Sequence, residues 1–335
     1  MKALVVRLDG IGGVLLAGPA VRAVATGSTH VTLLCGPRGA PAARMLPHVD
    51  DVVVWRAPWE GPGAPAVHEA DLDGLVDRLR QAAYDVALVL TAAHSSPLPA
   101  ALVLRMAHVP RIGGDSHAPA GSLLDVRHRR QPGRHEARAG LDTAGAMGFL
   151  PGPGDTGLLR VLPAPDTATL TGNGPYIAVH PGAGAPSRTW DPDRFAETVS
   201  VLADAGHRVV VTGGPDERAL TRHVSGDTGV DLGGRTDLRM LAGVLRGADV
   251  LVAGNTGPAQ LAAATGTPVV SLFSPVVPAD HWNPYGVPGV ILGDQHSACA
   301  ESRAHHCPVR EHPCLNEVTA QDAASAVHKL LKAGT

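Results

Sequence analysis

The chain has 335 residues, 44% of them hydrophobic, which is more length than one core usually serves and enough apolar material for two, so two domains are expected. Its formal charge of -3 excludes the basic footprint of a nucleic-acid binder, and no charged run reads as an interaction tail. No apolar run approaches the roughly 18 residues of a membrane span.

Residues 1–9 read as a first strand ending in charge, not as a signal peptide. With neither a signal peptide nor a membrane-length run, a cytoplasmic bacterial protein is expected; lysine occurs only at Lys2, Lys329 and Lys332 while arginine, alanine, glycine and proline abound, the codon usage of a GC-rich genome. Short β-rich runs follow at 3–8, 31–35, 52–55 and 86–90, with Leu72, Leu75, Val76 and Leu79 marking one helix face between them. The first run opens into Arg7-Leu8-Asp9-Gly10-Ile11-Gly12-Gly13, and the fourth into a loop carrying His94. The proline- and glycine-rich loops 58–65 and 110–121, the second with Asp115 and His117, have no pattern that converts into chemistry.

Residues 162–175, rich in proline, glycine and polar side chains, read as the join. A second alternation then starts, with strands at 177–179, 208–212, 250–253 and 269–273. The first of these runs into His180-Pro181-Gly182 and a loop ending in Ser187-Arg188. The helix after it is announced by Asp191-Pro192, a cap followed by proline, and by Phe195, Val199 and Leu202 on one face. Leu238, Leu241 and Leu245 give a further helix its stripe. The third strand passes through Gly254-Asn255-Thr256-Gly257-Pro258 into a helix containing Gln260. Such turns aim free N–H groups and the positive end of a helix dipole at one point, so two of them in one half suggest a diphosphate. Strand and helix alternation implies parallel sheets that bind ligands beyond the carboxyl ends of their strands. Near the end, Cys299, Cys307 and Cys314 are interleaved with His296, His305, His306 and His312; these are zinc ligand types, but the spacing lacks paired C-x-x-C, and a reduced structural loop is the expectation. Trp282 and Tyr285 are expected to pack that loop, or to border a donor sugar.

The ordered set from 7–16 through His180-Pro181-Gly182, Thr212-Gly213-Gly214-Pro215, Leu232-Gly233-Gly234-Arg235-Thr236 and Asn255-Thr256-Gly257-Pro258 to His312-Pro313-Cys314-Leu315 resembles the bacterial family 9 glycosyltransferases, which include the ADP-heptose heptosyltransferases. The resemblance implies the α/β GT-B fold, two Rossmann-like domains facing a central cleft. It divides the chain into an acceptor-binding domain at 1–162, a linker at 163–175, a nucleotide-sugar domain at 176–319 and a final helix at 320–335 that packs back on the first domain. It implies an inverting, metal-independent transfer without a cofactor. The donor is a nucleoside diphosphate sugar, ADP first, and the sugar a heptose or a relative. The acceptor is a small hydroxyl compound of a cell-surface glycan or of an aminoglycoside-like natural product.

Carried over residue by residue, the resemblance puts Gly182, Ser187, Arg188, Gly213, Asn255, Thr256, Gly257 and Gln260 at the diphosphate loops, Glu217 at the ribose and Thr236 at the edge of the base. Arg188 stands where the family places lysine, and a guanidinium serves there with a forked geometry. Gly12, Gly13, Asp115 and His117 fall on the acceptor side. Three departures stand out. Gly13 replaces the family's catalytic Asp. Asn255 replaces Asp, still able to cap its turn, and Gln260 replaces His, still able to donate to a phosphate. Asp9 and His94, both at strand carboxyl ends, are the two candidates for the missing base; otherwise Asp9 caps a turn and His94 is a surface histidine. The competing expectation is a non-catalytic nucleotide-sugar-binding partner of another transferase.

Overall fold

A computed structural model describes residues 1–61 and 63–333; Pro62, inside the 58–65 loop, and the last two residues of the 320–335 segment lie outside the described residues. The chain divides into two compact units, Met1–Leu162 and Pro163–Thr335.

The first unit is built on six parallel strands, β1 (Lys2–Arg7), β2 (His30–Cys35), β3 (Asp51–Val54), β4 (Val86–Val89), β5 (Arg111–Asp115) and β6 (Val126–His128), in the order β3-β2-β1-β4-β5-β6. Continuous apolar runs form β1 and β4 because helices cover both faces of a parallel sheet; Leu4, Val5, Val6, Leu88 and Val89 are all buried. The glycines of β5 have a packing reason. A Cβ at Gly113 would meet the Met147 side chain, so the strand gives way there to the end of the Glu136–Ala146 helix. The chain leaves β1 toward β2 and leaves β4 toward β5, so the loops after β1 and β4 part and open a crevice at the carboxyl ends of the strands.

The second unit repeats the plan with β7 (Ile177–His180), β8 (Val209–Gly213), β9 (Val230–Gly233), β10 (Val250–Gly254), β11 (Val269–Leu272) and β12 (Gly289–Leu292), ordered β12-β11-β10-β7-β8-β9 and again all parallel. Its reversal of order lies between β7 and β10. The Pro192–Asp204 helix starts as its sequence directs: the Asp191 carboxylate accepts the Asp193 N–H at 2.8 Å, and Pro192 occupies the first turn. Phe195, Val199 and Leu202 then bury against Val211, Val252 and Leu315, with Trp190 edge-on to Phe195 at 4.8 Å between centroids.

The last helix, Ala320–Ala333, belongs to the second unit. Its small apolar face, Ala323, Ala324, Val327 and Leu330, joins the second unit's core and lies against the Pro192–Asp204 helix and the strands beneath it. Alanines at those positions let two helices approach closely, which fixes the final helix on its own unit.

Candidate active site

In the first unit the crevice after β1 and β4 is a cavity of about 280 Å³, lined by Asp9, Trp59, Glu60, Thr91, His94 and Ser96 among others. Both candidate bases therefore border one space. Asp9 does not act as a turn cap. Its two oxygens receive Nε and Nη2 of Arg7 at 2.6 and 2.8 Å, a bidentate pair that fixes the plane of the carboxylate. The position of that carboxylate bears on the missing Asp at 13: a Cβ built on Gly13 would fall on the Asp9 carboxyl group, under 3.0 Å from its carbon and both oxygens. The space in which a side chain at 13 would begin is thus filled by a carboxylate from residue 9. Glycine at 13 and aspartate at 9 are one arrangement.

Behind Asp9 lies a buried ionic belt. Arg7 reaches Glu136 Oε2 at 3.5 Å, and Arg130 donates to Glu136 Oε1 at 2.5 Å, to Asp115 Oδ2 at 2.8 Å and to the Thr91 carbonyl at 3.0 Å. Burial disfavours the charge on Arg7, but Asp9 and Glu136 more than offset it and raise its pKa. Burial likewise pushes the Glu136 carboxyl up, and Arg7, Arg130 and the Ala93 N–H outweigh it, so the group stays below its usual range. Asp115, expected at the acceptor, has both oxygens engaged by Arg130, one through the backbone N–H at 3.0 Å. His117 is exposed in the following loop and does not line the cavity.

Glu60, Arg130 and Glu136 escape a reading of the sequence. Glu60 sits in the proline- and glycine-rich loop beside Trp59; burial first, then the Asp9 charge, raise its carboxyl, only partly opposed by Arg7 and Arg38. Glu136 is the first residue of its helix, a position where an acid is ordinary. Only the fold shows where its carboxylate goes.

In the second unit the loops after β7 and β10 meet at the corresponding place. Gly254 lets them close up: a Cβ there would stand 3.1 Å from the Arg188 carbonyl oxygen. The Gly257–Thr265 helix begins at Thr256 with no side-chain hydrogen bond capping its first N–H groups. Asn255 does not cap the turn as expected; both polar atoms of its side chain are buried without a partner among the described residues. Arg188 is half-buried; among the described residues its Nε also has no partner, and no carboxylate opposes the lowering of its pKa by burial. A guanidinium with an unpaired Nε on the loop after β7, and an uncapped helix N-terminus on the loop after β10 that the first loop's backbone meets at Gly254, are the features of a site prepared for an anion.

Two of the expected contacts are committed elsewhere. Ser187 is fully buried, its hydroxyl donating to the Ala304 carbonyl at 2.6 Å and its N–H to that of His305 at 3.1 Å. Gln260 donates its amide hydrogens to the Trp282 and Asn283 carbonyls at 2.8 and 3.3 Å, so its donor capacity serves the fold and not a phosphate. Glu217 is less fully engaged. One oxygen accepts the Gly214 N–H at 2.7 Å, and the other has no hydrogen bond among the described residues. Gly182 makes room for it, because a Cβ there would overlap the Glu217 carboxylate. His180, beneath them, bonds Thr212 at 3.0 Å; burial lowers its pKa against the opposing pull of Glu217. Thr236 is half-buried between β9 and the helix that starts after Asp237.

The tail cysteines come together: Cys299 neighbours both Cys307 and Cys314, and all are free thiols. Among the described residues no group of three or more His, Cys, Asp or Glu is arranged to hold a metal ion. No helix among them is long and apolar enough to cross a membrane.

Two six-stranded parallel sheets, each with its loops gathered where the strand order reverses, define a pair of Rossmann-like domains of the GT-B class. The chain belongs to glycosyltransferase family 9 (heptosyltransferase), whose model matches residues 74–312. It is 29% identical over 166 residues to lipopolysaccharide heptosyltransferase 3 of Escherichia coli K12, a stretch covering 47% of this chain and 46% of that protein. The chain thus spans about half the length of the curated relatives it matches. Three solved structures share the fold. The glycosyl transferase family 9 protein of Veillonella parvula has a TM-score of 0.76 at 18% identity, covering 99% of this chain and 97% of its own. E. coli ADP-heptose lps heptosyltransferase II has 0.75 at 20%, covering 100% and 99%. E. coli heptosyltransferase WaaC with ADP has 0.70 at 18%, covering 99% and 98%.

Proposed function

We propose that the chain transfers a heptose or a related sugar from a nucleoside diphosphate to a hydroxyl group of a small acceptor, with inversion at the anomeric carbon. The observation that carries this reading is Arg188, half-buried with no carboxylate among the described residues to offset that burial, on a loop whose backbone meets at Gly254 the turn into a helix N-terminus without a side-chain cap. In this reading the second unit grips the diphosphate with Arg188 and the N–H groups around Thr256 and Gly257, while the open oxygen of Glu217 receives the ribose hydroxyls and Thr236 edges the base. ADP is the first nucleotide to test because a solved relative of the same fold holds ADP.

In the first unit Asp9 takes the proton from the acceptor hydroxyl. The acceptor oxygen forms a bond to the anomeric carbon as the bond to the phosphate oxygen breaks, and the electron pair leaves with the nucleoside diphosphate. Arg188 and the helix N–H groups neutralise the charge that grows there. Asp9 is preferred to His94 because its carboxylate occupies the place of the absent side chain at 13. The reaction so assigned uses no resident metal and no organic cofactor, and is placed in the cytoplasm of a bacterium, on a cell-surface glycan or an aminoglycoside-like acceptor.

A thermal-shift panel of ADP, UDP, GDP and dTDP tests the donor half. A nucleotide present at 100 times its Kd stabilises the fold by about 2.7 kcal/mol, and ADP is expected to give the largest shift. A panel in which no nucleotide moves the melting point contradicts the reading.

A further inference from the structure

We infer that Glu136 is a positioning residue of the first unit's crevice, one buried carboxylate that sets Asp9 on the β1 side through Arg7 and the His94 loop on the β4 side through the Ala93 N–H. This rests on the transferase reading above.

The geometry is specific. Arg7 uses Nε and Nη2 for Asp9, which leaves the other edge of its guanidinium to be held. Glu136 Oε2 holds it, at 3.5 Å from both Nη1 and Nη2. With both edges engaged the guanidinium cannot rotate, and the carboxylate paired to it keeps one plane. The other oxygen of Glu136 accepts the Ala93 N–H at 3.0 Å, directly before His94, and takes Nη1 of Arg130 at 2.5 Å. Arg130 in turn binds the Thr91 carbonyl in the same loop and Asp115 at the end of β5. The end of β1, the loop after β4 and the segment after β6 therefore converge on one side chain.

A buried ionised carboxylate is costly unless fully paired. Glu136 has no side-chain exposure at all, and each of its partners leads to the crevice. A residue needed only to start a helix requires none of them. The charged and titratable groups around Asp9 are Arg7, Glu60 and His94, with Glu136, Arg130 and Asp115 behind them and Arg38 beside Glu60.

The test uses the full chain carrying Glu136→Gln, which keeps the shape, and Glu136→Asp, which keeps the charge. ADP release from ADP-heptose, with water as acceptor, is measured together with ADP affinity by calorimetry. Amide hydrogen exchange at 9–13 and 91–95 is followed in parallel. The expected result for Glu136→Gln is wild-type ADP affinity, faster exchange in both segments and a fall in ADP release of about 10- to 100-fold, the scale of a misplaced reacting group. Glu136→Asp recovers part of the loss. The Gln effect shrinks when Asp9→Asn or His94→Ala is already present, because the two residues then act in series. An unchanged rate, or the same fold loss in both of those backgrounds, overturns the inference. If the wild type releases no ADP with water or with any of a panel of hydroxyl acceptors, the transferase reading fails on its own, and the exchange data then decide: loosening confined to 9–13 and 91–95 supports the positioning role, and unchanged exchange there overturns it.

Discussion

The two units share one strand order and one reversal point, yet their crevices differ in how far their polar groups are paired. In the first, both arginines are matched to carboxylates: Arg7 with Asp9 and Glu136, Arg130 with Asp115 and Glu136. In the second, Arg188 and Asn255 keep buried polar atoms without partners. Since an unpaired buried polar group costs about 1–3 kcal/mol, the second crevice is the one arranged to gain by taking in a ligand of complementary charge. The first is arranged to hold its own groups still. A shared topology gives two sites, and side-chain pairing divides the labour between them.

The largest expected effect breaks the first crevice. Asp9→Asn should lower turnover by about 10²- to 10⁴-fold, the range for a general base, with ADP affinity unchanged by calorimetry. Wild-type turnover in both Asp9→Asn and His94→Ala would remove both candidates, whereas nucleotide-sugar binding without turnover across a panel of acceptors would favour a non-catalytic nucleotide-sugar binder. The sharper version is a relocation. Gly13→Asp alone should impair turnover, because its Cβ collides with the Asp9 carboxylate, whereas Asp9→Ser with Gly13→Asp should recover activity that Asp9→Ser loses. A double variant no better than Asp9→Ser would show that the two carboxylates do not share one place.

A middling effect is expected in the second crevice. Gly182→Ala drives a Cβ into the Glu217 carboxylate, and overpacking of this kind costs about 1–3 kcal/mol. Displacing Glu217 should weaken ADP binding by roughly 10-fold while leaving the binding of inorganic pyrophosphate alone, if Glu217 meets the ribose. Parallel losses for both ligands would place Glu217 elsewhere.

The last effect concerns the stability of the paired unit and not its activity. Arg22 binds Asp155 through two hydrogen bonds at 2.7 and 2.9 Å, which hold that carboxyl at about 2 against a usual 3.8. The folded value is the lower one, so the pair's contribution is complete above pH 3.8 and is lost as pH falls through about 2. Asp155→Asn should cost about 2 kcal/mol in urea unfolding at pH 7, and the difference from wild type should shrink toward pH 2. A difference independent of pH would mean that the ion pair is not its source.

Much of the fold can be read from the sequence because β1, β4, β7 and β10 are buried on both faces and so appear as unbroken apolar runs. The strands that escape are those whose residues answer to packing: β5 with Gly113 and Gly114, β6 with three residues, β9 with Asp231, β12 with half its residues exposed. The glycine loops at 182 and 257 are legible because strand, turn and helix follow in order along the chain. Ser187 and Gln260 sit in those loops, but their polar atoms serve carbonyls at 304 and 282, which no local pattern reveals. Glu136 is still harder to see, since it meets Arg7 across 129 positions of sequence. A motif records where backbone turns; it does not record which side chains have already found partners.

The most direct measurement is calorimetric titration of ADP and of adenosine into the wild type and Arg188→Ala. The account predicts that ADP binds the variant about 10- to 100-fold more weakly, the worth of a hydrogen bond to a charged group, while adenosine binds both alike. Equal ADP affinity in the two proteins would contradict the claim that this unpaired guanidinium awaits a diphosphate.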